Sequence, residues 1–252
     1  IGIVPGKSLT ISGNGETSSI GTLTLASMDS LSAAFVANNN TTVNVDTLSG
    51  TGKVSVGEHN GTNAHMSINK LGMAGGSIFV DPYYGYGEST LAVALLNNGE
   101  LNTNVTAGTG ALVTFGTDVA SAKNAVAKLD GFSALQSVVY VGTSMTLGAS
   151  GSIVIKPLAT AADETHAKKV YVASNSGLVI DQSAVGSNTV FAGAEEVTFE
   201  GGSKLGITNA TVGTITLTDA ARTVVDDITT ATTDNPFVEA TVDGNTVVNT
   251  MS

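Results

Sequence analysis

Cysteine and tryptophan are absent from the 252 residues, arginine occurs once (Arg222), and there are only four prolines. Without cysteine there is no disulfide scaffold, no thiolate metal site and no cysteine nucleophile. The chain carries 10 basic and 21 acidic residues, a net charge of −11. No basic patch is available to neutralise phosphates, so nucleic acid and anionic membrane surfaces are poor partners. No apolar run approaches the ~18 residues that a membrane-spanning helix needs, and there is no tripartite signal-peptide pattern. The start, Ile-Gly-Ile-Val without methionine, reads as a processed or excised piece of something longer.

What is present in quantity is Thr, Ser, Asn and Gly, together about two-fifths of the chain. Thr is stiff at χ1, and Ser and Asn bond the local backbone, so the mixture disfavours helix. It suits short strands joined by many turns. Val, Ile and Leu recur along the whole length, which is not a disordered composition. One pattern repeats: a glycine, one or two small or polar residues, then apolar residues in alternation. It appears as GKSLTI (6–11), GTLTL (21–25), GKVSV (52–56), GSIFV (76–80) and GELNTNV (99–105), and again as GSIVI (151–155), GLVI (177–180), GSKLGI (202–207) and GTITL (213–217). Glycine supplies the turn, and alternation places every second side chain on one face of a strand.

These strands read as three to five residues long. Gly52, Gly76 and Gly99 recur at a soft period of 20-odd residues, as do Gly151, Gly177 and Gly202. That is the signature of a parallel β-solenoid, in which each coil buries its inner side chains only against its neighbours. At roughly 20–25 residues per coil the chain makes about ten coils, a rod on the order of 50 Å long. A β-sandwich competes, but the hairpin signals it needs are few, VDGNT (242–246) being the best.

Insertions interrupt the coils at 81–90, 117–135 and 156–169 in a region spanning 1–218, and 219–252 forms a terminal coil, hairpin or capping element. Within 117–131 the spacing predicts one helix near 118–129, capped by Thr117 or Asp118 and ended by Gly131. Val119, Ala122, Val126 and Leu129 share its apolar face, with Lys123 and Lys128 opposite. The stretch GGSIFVDPYYGYGES (75–89) concentrates Pro82 with three of the five tyrosines. Proline cannot donate to a ladder, so the coil is expected to stop at Asp81-Pro82. Tyrosines combine apolar area with a hydroxyl, so the 81–88 loop and the exposed helix are the expected contact surface: Asp81, Tyr83, Tyr84, Tyr86, Lys123 and Lys128. The alternative is that the tyrosines cap the coil edge.

Catalytic signatures are sparse. Glycoside hydrolysis needs two carboxyl groups ~5–10 Å apart, and the adjacent pairs Glu195/Glu196 and Asp226/Asp227 point to opposite faces of a strand. Arg222 reads as a surface residue beside Asp226 and Asp227. His59 and His65 lack a metal-ligand spacing, and Asp163, Glu164 and His166 stand in a polar loop. There is no Ser–His–Asp arrangement, phosphate loop or calcium-repeat motif. No cofactor and no metal are expected. Stacked Thr and Asn rows are expected to hydrogen-bond along the rod.

LSGTGKVSVGE…AHMSINKL…GGSIFVDP (48–82) and ALVTFGTDVASAKNAVAKLDGFSALQSVVYVGTSMTLGASGSIVI (111–155) resemble the passenger regions of bacterial autotransporter adhesins, exported by the type V route in Gram-negative bacteria. The coil pattern extends over most of the chain, with 76–155 the more specific part. The resemblance implies an all-β, single-stranded right-handed parallel β-helix with a short lateral α-helix. It also implies display on the bacterial cell surface, or secretion, and a non-catalytic role in adhesion, self-association or as a stalk. Partners would be a host-surface protein or glycan, or another copy of the chain. The membrane would be reached only through a C-terminal β-barrel, which this sequence lacks. Two other readings stay open: a β-helical carbohydrate-active enzyme, and a structural spacer of a giant surface protein.

Overall fold

The computed structural model describes residues 1–26, 34–57, 63–80, 88–108, 110–130, 137–148, 150–155, 168–181, 189–208 and 214–218, and the backbone of 222–225, 229–230, 239–243 and 246–250. Each glycine-led segment quoted above contains a strand. All but Thr214–Thr216 pair in parallel, with the counterpart strand of a neighbouring coil. Ten strands, among them Thr17–Leu25 of the glycine-led set, form a long sheet in strict sequence order, from Gly2–Ile3 to Arg222–Val225. A second sheet holds seven strands, from Leu9–Ser12 to Phe191–Ala192, and a third holds five, beginning at Glu100–Leu101. In the long sheet Thr42 faces Thr17 on one side and His65 on the other. Only a chain that winds forward one coil at a time gives this order. The fold is a single-stranded parallel β-solenoid. At the C-terminal end Glu239–Asp243 and Thr246–Thr250 pair antiparallel, with Thr214–Thr216 on the outer side of the second strand.

Alternation along each strand becomes an unbroken column across strands. Val45, Ile68, Val93, Phe115, Val141, Val172 and Phe199 fall in one register row of the long sheet, each at most 2% exposed. Burying each of these contributes ~1.5–3 kcal/mol relative to leaving it in water. Outward rows are polar and also bond from coil to coil. Thr24 Oγ1 meets Ser49 Oγ at 3.1 Å, and Asn40 donates its amide to Asn14 Oδ1 at 3.4 Å. Asn40 Oδ1 in turn accepts the Asn63 backbone N–H at 3.0 Å. The stacked Thr and Asn rows expected from the sequence are therefore present.

Three details depart from the sequence reading. Thr17–Leu25, Thr42–Gly50 and His65–Met73 are nine-residue strands, not three to five. Each stays long because it bends and continues: the register skips Gly21, Asp46 and Asn69. At the bend two outward residues stand side by side, as in buried Val45, outward Asp46 and Thr47, buried Leu48. The glycine period is also less uniform than it looked. Gly52 and Gly76 occupy equivalent places, since Lys53 pairs with Ser77. Gly99 leads into the third sheet, and Thr103 stands where the next coil's glycine was expected, because Ser77 pairs with Asn104. Finally, Thr90, Lys168 and Lys169 lie inside strands, not in insertions.

The helix, Val119–Asp130, is lateral, as expected, and it replaces part of a coil. The chain passes from Leu112–Phe115 through the helix to Ser137–Val141, the adjacent strand of the same sheet. The other two sheets skip this turn: Asn104–Ala107 pairs directly with Ser152–Ile155, and Glu100–Leu101 with Met145–Leu147. The long sheet thus carries one rung without counterparts in the other two. Ala122 and Val126, both fully buried, pack on the outward side chains Leu112, Val138, Tyr140 and Tyr171, a cluster separate from the inner column. Leu112–Phe115 and Ser137–Val141 are for this reason buried on both faces.

Candidate functional site

The departure of the chain at Gly116 makes a groove. Rather than bending along the sheet, the backbone leaves the coil, with Thr114 Oγ1 donating to the Thr117 carbonyl at 2.9 Å. Gly116 has φ +72°, and a Cβ there would sit 2.2 Å from Thr143 Cβ, so the exit needs glycine. Asp118 then caps the helix. Its Oδ1 accepts the Ser121 N–H and its Oδ2 the Ser121 hydroxyl, both at 2.9 Å. These two bonds, the backbone one first, hold the Asp118 carboxyl below the usual carboxylate range.

Between this exit and the outward face of the bent strands lies a groove of about 570 Å³. Its polar wall is Asn44, Asp46, Ser67 and Asn69, from two successive coils, all exposed. Ala92 and Ala94 continue the same two rows on the third coil, and Thr117 and Asp118 close the end. Among the described residues no Lys, Arg or His lines it. Of these residues the sequence singles out only Thr117 and Asp118, as a helix cap and not as a groove wall. Asn69 is indistinguishable by type from Asn63, which bonds to the next coil. The available signal was the break in alternation, VDTL at 45–48 and INKL at 68–71, which marks the bend.

The contact surface expected from the sequence is only partly in view. Asp81, Tyr83, Tyr84 and Tyr86 lie outside the described residues. The last described strand before them is Ser77–Val80. Beyond them, Glu88 donates its backbone N–H to Asn63 Oδ1 at 2.7 Å and forms an ion pair with Lys123. The helix is therefore tied through Glu88 to Asn63 of the preceding coil. Lys128 is exposed in the last helical turn, where a cation suits the helix dipole. Half-buried His65 shares a hydrogen bond with Thr90 Oγ1 at 2.9 Å. Burial, first, lowers the imidazole pKa; the Glu88 charge opposes this and the Lys123 charge adds to it.

Two further carboxylates sit in surface ladders. Glu195 and Glu196 each meet a lysine of the preceding coil, Lys168 at 3.2 Å and Lys169 at 3.7 Å. Backbone register sets Arg222 beside Glu196. Asp226, Asp227, His59, Asp163, Glu164, His166 and Gly131 lie outside the described residues. Among the described residues no three His, Asp or Glu side chains gather as a metal site, and no helix is long and apolar enough to cross a membrane. Tyr140, 7% exposed in the cluster under the helix, is a strongly perturbed phenol. Burial, and second the negative charge of Glu200, push it up to about 12. Because the folded value is raised, its contribution to stability is complete below pH ~10 and is lost as pH rises from about 10 to 12. The difference between the ultraviolet tyrosinate titrations of wild type and Tyr140→Phe should place this phenol near pH 12. A titration complete near pH 10 would contradict the packing.

No family model, no curated protein and no solved structure matches the chain.

Proposed function

We propose that this chain is a non-catalytic passenger segment of a surface-displayed autotransporter, acting in adhesion, in self-association or as a stalk. The observation that carries the reading is the coil stack itself. Ten parallel strands follow one another in sequence order, so each new coil is templated by the backbone edge of the one before it. Such a rod assembles progressively, needs no disulfide, and repeats its outward rows on every coil, which suits a surface that meets partners along its length.

The carbohydrate-active enzyme is the second reading, because Asp46 and Asp118 line one groove. It is the weaker of the two. Both Asp118 oxygens are committed to the helix cap and its pKa is lowered, the reverse of what a general acid requires. The test is display: the chain placed between an export signal and a heterologous autotransporter barrel, in cells otherwise non-adhesive. Protease-accessible surface material and increased adhesion or clumping over barrel-only cells are expected. Retention inside the cell would end the passenger reading, and turnover of a polysaccharide by the purified chain would favour the enzyme.

A further inference from the structure

On the rows beside the groove, polar side chains are bonded to one another from coil to coil: Thr24 to Ser49, His65 to Thr90, Asn40 to Asn14. Within it, Asn44, Asp46, Ser67 and Asn69 are exposed and, among the described residues, form no side-chain hydrogen bond or ion pair. They stand in two parallel rows on coils ~4.8 Å apart. Resting on the non-catalytic, adhesive reading above, we propose that this groove binds an uncharged oligosaccharide, laid along the rod with its rings over successive coils.

The chemistry of the wall selects that class. Sugar hydroxyls donate and accept at once; the carboxamides and the Ser67 hydroxyl do the same, and Asp46 accepts from two hydroxyls. The Ala92 and Ala94 side chains are small enough to let a ring lie flat at the closed end. Two carboxylates without any lining cation oppose uronates, sialates and phosphates. A peptide finds little here, since these strands are paired on both sides and offer no free edge. The volume is in the range of ordinary ligand sites.

Calorimetric titration of the folded chain with neutral hexose and N-acetylhexosamine oligomers, and with uronate oligomers, tests the proposal. A neutral oligomer binds and the uronates do not. Asn44→Ala and Asn69→Ala each weaken binding about 5- to 10-fold, the loss of one hydrogen-bonding group. Ala94→Trp, at an exposed position, fills the groove and abolishes binding with the melting temperature unchanged. Absence of binding by every neutral oligomer, binding of uronates equal to neutral sugars, or wild-type affinity in Ala94→Trp would overturn it. Displayed cells that still adhere despite such a result leave the adhesive reading intact. Shortening of the bound oligomer would instead remove the non-catalytic reading and leave the groove.

Discussion

Replacing Gly50 with alanine destabilises the fold by about 4 kcal/mol or more, a size that single substitutions reach only through a definite structural conflict. Gly50 ends a nine-residue strand at φ +99°, and a Cβ there would fall 1.9 Å from the Leu25 carbonyl oxygen and 2.8 Å from its carbon. That carbonyl cannot retreat freely, because it accepts the Thr51 N–H at 2.9 Å and so holds one coil to the next. Strain from the left-handed backbone alone costs ~1–3 kcal/mol, and the overlap with backbone adds to it. Gly21 is the control. Its Cβ would meet nothing closer than Asp46 Oδ2 at 4.0 Å, and its φ is not in the left-handed region. Gly21→Ala is therefore neutral or stabilising by about 0.4–1 kcal/mol, through a less disordered unfolded chain. Urea denaturation followed by far-ultraviolet circular dichroism measures both. A Gly50→Ala midpoint within ~1 kcal/mol of wild type would mean the coils do not approach as closely as described.

The same contrast explains what was legible in the sequence. Gly50, Gly76 and Gly193 press against the backbone of the preceding coil, at 1.9–2.2 Å from a carbonyl oxygen to the missing Cβ. Glycine there is dictated by stacking, so glycine followed by alternation marks strands reliably. Gly99, with nothing within 4 Å of its missing Cβ, is a local turn before the third sheet. By type the two kinds of glycine are the same, and a period built on both mixes different walls of the rod. Helix position and cap were legible for a similar reason: Asp118, the spacing of Ala122 and Val126, and the lysines are local signals. What the helix covers was not, because Leu112, Val138, Tyr140 and Tyr171 belong to three strands whose register is set by the whole stack.

The groove was hidden more deeply. Asp46 and Asn69 come from consecutive coils, and the wall facing them comes from Gly116–Asp118, far along the chain. Residue type alone does not distinguish an outward Asn that bonds to the next coil from one left open to a ligand. The bend is what separates them: at that row the paired register lapses, and side chains no longer stack directly on their counterparts.

Val126→Asp should detach the helix and leave the rod. Val126 is fully buried against the outward cluster, which shares no member with the inner column. The substitution removes apolar burial worth ~1.5–3 kcal/mol and places a carboxylate where no cation is grouped with it, so docking weakens by about 3 kcal/mol or more. A 12-residue helix is marginal in water without its packing, so the undocked segment also unwinds. Helical dichroism is lost while the strand signal and the main melting transition persist, since coil-to-coil bonding in the three parallel sheets does not pass through the helix. Two distant readouts move with it. Tyr140, released from its cover, ionises closer to pH 10 than to 12. Oligosaccharide binding weakens as well, because Asp118 and Thr117 form the end wall of the groove only while the helix start is held. Phe115→Ala gives the opposite pattern. It opens the inner column, where the side chain is 0% exposed, and lowers the main transition by about 3–5 kcal/mol. If Val126→Asp instead melted the rod in one cooperative step, the helix would be part of the load path of the coils rather than a lateral cover.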